Sequence, residues 1–147
     1  MTFFTTMFAA LAATAATPAP AHSVSVPHSS GTAQAEYRGE IGVAHKQIGS
    51  AAPAGRPSSL RCVWTASLEV NRTATSAAGA LASRSFVQDD VAKGSRPGWC
   101  NTNRTAIARD VAQRLGDGSE HLAKAAAADR TVLLAELDRL AGTAAGD

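Results

Sequence analysis

Cys62 and Cys100 are the only cysteines of the chain, and His22, His28, His45 and His121 the only histidines. A cysteine beside an imidazole can work as a nucleophile with its base, and Cys100 with His121 is the pair to consider. That chemistry needs a free thiol, and no catalytic motif surrounds either residue. Two lone cysteines in an oxidising compartment more often form a structural disulfide. The pair stands 38 positions apart, each with a tryptophan close by, Trp64 and Trp99. Closing a loop of that length is worth about 4 kcal/mol in the chain-entropy model.

The histidines offer a second chemistry. Proteolytic cleavage after Ala21 would leave His22 at the new terminus, presenting an amine and an imidazole to one metal ion. With His28, His45 or His121 added, the set would resemble the copper-binding histidine brace, whose nitrogen ligands suit Cu(II). A solvent-exposed terminal histidine is the plainer reading, so His22 is a metal candidate only and no cofactor is expected. Asp89-Asp90 is the one adjacent carboxylate pair. On a strand such neighbours point to opposite faces, so they cannot share a substrate as acid and base. Asn-Arg-Thr-Ala occurs at Asn71 and at Asn103, matching the N-glycosylation pattern both times. The Ala- and Arg-rich usage points to a bacterial chain, in which the match is chance. Phosphate-cradling glycine loops, G-x-S-x-G, H-E-x-x-H and C-x-x-C are all missing from the sequence.

Export decides how the cysteines are read. Phe3 to Ala16 is an uncharged run of Phe, Met, Leu, Ala and Thr, too short to cross a bilayer. Ala19 and Ala21 end it in an A-x-A cleavage pattern, so residues 1–21 read as a signal peptide, although no Lys or Arg precedes the run. A periplasmic or extracellular location follows, with no transmembrane segment after cleavage. The 14 basic and 12 acidic residues are scattered, which leaves no basic face for nucleic acid.

The elements that must position these residues come next. Residues 22–35 are rich in Ser, Pro, Gly and Thr and read as a flexible leader. A single domain is expected over 36–142, with 143–147 as a frayed tail. Glu36 to Ile48 alternates as a first strand, weakened by Gly39 and Gly42. Cys62, Trp64, Ala66, Leu68 and Val70 are apolar at every second position, the pattern of a half-buried strand. Ala80 to Val91 reads as a returning strand with Leu81 and Val87 on one face and Ala82 and Phe86 on the other; a bulge could change its parity. Lys93 to Gly98 reads as a loop.

Asn101 or Asn103 can cap a first helix carrying Ile107, Val111 and Leu115 on one stripe. Gly116-Asp117-Gly118 ends it, and Ser119 can cap a second helix running to Ala141, with Asp129 to Thr131 as its weakest point. Leu122, Ala126, Leu133, Leu137 and Leu140 form the apolar side of that helix. The expected fold is α+β: an antiparallel β-meander of about three strands packed against a C-terminal α-helical hairpin, with one disulfide, Cys62–Cys100. The expected function is a non-catalytic binding module. Its contact would be a protein partner at a strand edge, or self-association through the C-terminal helix. A small exported hydrolase or a copper-binding protein using His22 is the alternative.

Overall fold

The alternation that begins at Cys62 builds the strand at the centre of the molecule. The computed structural model describes residues 19–145: β1 (Ala21–Val26), β2 (Ala33–Ile48), β3 (Arg61–Thr75), β4 (Leu81–Pro97), α1 (Cys100–Leu115) and α2 (Ser119–Ala144). The strands form one antiparallel sheet in the order β1-β2-β3-β4, each paired with its neighbour in sequence. Even-numbered residues of β3 from Cys62 to Ala74 are buried under the helices, and the odd-numbered ones face away from them. That second face is uncovered and polar, carrying Thr65, Ser67, Glu69, Asn71 and Thr73, which is what period-two patterning dictates.

There are four strands where about three are expected, because the stretch read as a leader is half of a hairpin. His22, Val24 and Val26 turn inward while Ser23 and Ser25 turn outward, and Val26 is fully buried. Gly31, at φ 114°, closes the turn by donating to the His28 carbonyl at 3.0 Å. The expected signal peptide lies almost wholly outside the described residues; its cleavage point falls at the first residue of β1.

β4 also runs further than expected. Gly94 and Pro97 belong to its ladder rather than to a loop. Gly94 lies opposite Trp64, and a Cβ there would come within 2.8 Å of the indole ring. The glycine leaves room for tryptophan, and Pro97, with no N–H to donate, ends the strand. The bulge allowed for in this strand falls at Asp89-Asp90, where the β3–β4 register shifts and Asp90 takes φ 54°. Parity survives it: Phe86 packs on the core while Leu81 and Val87 are exposed.

Each helix covers its own half of the sheet. Ile107, Val111 and Leu115 of α1 close over Cys62, Trp64 and Ala66. Leu122, Ala126, Leu133 and Leu137 of α2 close over Val26, Tyr37, Leu68 and Val70. The two helices scarcely touch, so the expected helical hairpin is a loose one. A 15-residue strand such as β3 spans about 50 Å. Helices of 16 and 26 residues span roughly 24 and 39 Å. Neither helix covers the strand alone: α1 packs over its Cys62–Ala66 end and α2 over its Leu68–Ala74 half. α2 is unbroken through Asp129 to Thr131 and continues to Ala144, into the segment expected to fray.

Candidate functional site

Both sulfurs are committed to one bond. Cys62 and Cys100 form a disulfide across Cα atoms 4.8 Å apart, which removes the nucleophile that a Cys100–His121 pair would need. Gln47 finishes the junction. Its Nε2 donates to the carbonyls of Arg61 (2.8 Å) and Gly98 (3.2 Å), and its Oε1 accepts the Cys100 amide at 2.7 Å. That amide is one of the unpaired donors at the start of α1, so Gln47 does the work expected of Asn101 or Asn103. Asn103 instead donates to Pro97 and Trp99 carbonyls. At α2 the cap residue is Gly118 and Asp117 accepts the Ser119 amide at 3.0 Å, so Ser119 opens the helix instead of capping it. Trp64 is core as expected, but Trp99 is 53% exposed.

A polar network lies between sheet and α2. Arg72 donates to Asp129 Oδ2 at 2.7 Å and also bonds Glu136; Arg84 bonds Asp129 Oδ1, and the Tyr37 hydroxyl donates to Oδ2 at 3.1 Å. Burial, then the charge of Asp129 and its hydrogen bond, push the Tyr37 phenol up from 10.0 to about 12. Every oxygen of Asp129 is occupied from within the protein, and β2, β3, β4 and α2 each contribute a member. This is a lock between layers, not an open site.

The histidines are dispersed. Among the described residues, no three His, Cys, Asp or Glu side chains gather as a metal site. His22 lies on β1 opposite Tyr37, His45 near the far end of β2, and His121 in the first turn of α2. His28 makes a connection the sequence does not announce. The Ser30 amide, at 3.2 Å, and the Ser30 hydroxyl, at 2.7 Å, both approach its Nδ1, and its Nε2 meets Asp138 Oδ1 at 2.8 Å. An amide can only donate, so Nδ1 accepts and the proton sits on Nε2, facing the carboxylate. Connectivity of this kind serves nucleophilic serines, with the two ring nitrogens here exchanged. The lone pair that would receive the hydroxyl proton already accepts the Ser30 amide, and Asp138 is 70% exposed and screened by water. The chain ties the β1–β2 turn to α2.

What remains open is an edge and a cleft. The Gly39 amide donates to the Pro20 carbonyl at 3.0 Å, which sets the alternation of the ladder above it. His22, Val24 and Val26 therefore bond to β2, while Ala21, Ser23 and Ser25 turn their N–H and C=O groups outward. β1 carries no Lys, Arg, Asp or Glu. The opposite edge is guarded: β4 carries the Asp89-Asp90 bulge, Arg84, Lys93, Arg96 and Pro97, features that keep a foreign strand away. Beside β1 runs a cleft of about 240 Å³ between the sheet and α2. Val24 and Val26 form one wall, Ala123 and Ala127 the other, and His22 and Arg130 supply its polar groups. The short side chains of the α2 alanines are what leaves this space.

No protein-family model matches the chain, and no curated protein or solved structure matches it either. Among the described residues no helix is long and apolar enough to cross a membrane.

Proposed function

We propose that this protein is an exported, non-catalytic binding module that holds an extended polypeptide by strand addition at β1. One observation carries the reading: an edge without Lys, Arg, Asp or Glu, with outward backbone groups at Ser23 and Ser25 that cleavage after Ala21 would leave in place, runs beside a cleft walled by small residues. Strand addition draws affinity from the backbone and selectivity from pockets that take alternate side chains, and this edge offers both. Arg130 in the cleft favours a partner with an acidic side chain among apolar ones. The disulfide and the hydrophobic run before Pro18 support export.

Amide hydrogen exchange in the presence of short peptides alternating Val with Ser or Glu tests this. The Ser23 and Ser25 amides should gain protection, and Ser25→Pro, which removes one outward N–H and leaves the β1–β2 bonds intact, should weaken binding. Peptides that leave both amides exchanging as in the free protein would refute the reading. The rival reading, a small hydrolase, has the Ser30–His28–Asp138 chain in its favour, and reactivity of Ser30 toward a fluorophosphonate separates the two.

A further inference from the structure

β1 shields only part of β2. Pairing between them ends where Pro20 meets Gly39, and Pro20 has no N–H with which to answer the Gly39 carbonyl. From Glu40 to Ile48 the outer edge of β2 has no partner among the described residues, although the strand is fully paired to β3 on its inner side. Exposure follows: the residues from Ala44 to Ile48 are all exposed, while Ile41 and Val43 are half-buried against the helices. Odd-numbered residues of β2 face β1 in the paired half, so Ile41, Val43, His45 and Gln47 present their backbone groups outward in the unpaired half.

We infer that this segment pairs with the same segment of a second copy, antiparallel about a two-fold axis at Ala44. The proposal goes beyond the strand-binding role of β1 and does not depend on it. In that register Glu40 lies opposite Ile48 of the other copy, Gly42 opposite Lys46, and Ala44 opposite Ala44. Ile41 exchanges backbone bonds with Gln47, and Val43 with His45. The register is the longest the vacant edge admits: Ile48 of the second copy stops level with Glu40, and its chain turns away at Gly49 (φ 76°) before it reaches Pro20.

Charge selects a second copy as the occupant. Within one chain Glu40 sits directly opposite Glu69 on the uncovered face, a like-charge pair that is unfavourable across strands. Neither carboxylate has an ion-pair partner among the described residues. Lys46 has none either, and it is on the same face. In the two-fold register Lys46 of each copy stands diagonal to Glu40 of the other, with only Gly42 opposite it, so its side chain is free to lean toward the two carboxylates. The contact places two such pairs symmetrically and sets no like charges opposite each other, as a self-complementary interface requires.

The test uses the purified, oxidised protein in sedimentation equilibrium. It should associate to a dimer. Val43→Pro removes an outward N–H and spares the β2–β3 ladder, so the protein should become monomeric with its circular dichroism unchanged. Glu40→Lys and Lys46→Glu should each weaken association by about tenfold, since each change acts twice per dimer, and the two combined should restore it. Ala44→Cys should yield a covalent dimer on non-reducing gels, because facing residues in a non-hydrogen-bonded pair lie about 4.5 Å apart. A monomer at the highest soluble concentration overturns the proposal. So does a dimer indifferent to Val43→Pro and to the charge exchange, which would place association elsewhere, as on the C-terminal helix.

Discussion

Arg72 and Asp129 each occupy a core position of their own element and meet there, Nη1 to Oδ2 at 2.7 Å, with both residues almost wholly buried. The pair joins the C-terminal part of β3 to the middle of α2. Removing Asp129 would leave Arg72 half-paired in a dry interior, with Glu136 alone to answer it. Asp129→Ala should therefore destabilise by about 3–5 kcal/mol. Arg72→Met combined with Asp129→Leu should cost distinctly less, since Glu136 and Arg84 are partly exposed and can turn to water. Urea denaturation checks this; a double variant as unstable as the single one would show that packing, not the stranded charge, sets the loss.

Tyr37 is the chain's only tyrosine, so its ionisation can be followed by its ultraviolet band without ambiguity. The folded protein holds the phenol protonated to about pH 12, against 10.0 in an unfolded chain, chiefly through burial and then through Asp129. The contribution of this group to stability is complete below pH 10. It is lost as pH rises toward 12, because the unfolded chain has already released its proton. Native protein should show the tyrosinate band only near pH 12 or on unfolding, and Tyr37→Phe should flatten the fall in stability across that interval. A midpoint near 10 in folded protein would contradict the buried bond to Asp129.

Much of this architecture is legible in the sequence, and the failures have causes. The alternation from Cys62 to Val70 and the stripes of Ile107, Val111, Leu115 and of Leu122, Leu133, Leu137 fall where burial puts them, since burial is what makes the pattern. β1 is obscured because Pro27, His28 and the serines have the composition of a linker, yet Val24 and Val26 keep period two. Gly94 reads as a turn residue because only the structure shows Trp64 lying across it. Arg72 falls on the inward parity of β3, and Asp129 falls seven residues beyond Leu122 on the apolar side of α2. Two charges of opposite sign on core positions are a signal to pair them. The cleft and the open half of β2 left no such trace, because they depend on where β1 ends.

The crosslink makes a third prediction. Replacing Cys62 and Cys100 together by Ser should lower stability by about 4 kcal/mol through the freedom regained by the unfolded chain. Gln47 still holds the Cys100 amide in the folded state, so native spectra should change little. The urea midpoint should fall while the denaturant slope rises, as an uncrosslinked chain exposes more surface. An unchanged midpoint would mean that the loop is held closed without the bond.

Ser30 decides between the binding module and the hydrolase. With Nδ1 of His28 already accepting the Ser30 amide, the hydroxyl has no free base and should behave as an ordinary alcohol. A fluorophosphonate probe, which labels activated serines, should leave the protein unmodified at neutral pH. His28→Ala should act on stability alone, loosening the β1–β2 turn from Asp138 and speeding amide exchange at Ser30 and Gly31. Stoichiometric labelling of Ser30 that disappears in His28→Ala would reverse the assignment. The turn would then be a nucleophile held by its base, and the small-residue cavity of about 270 Å³ that Ser30 lines, with Ala78, Ala141 and Leu140, would be the place for its substrate.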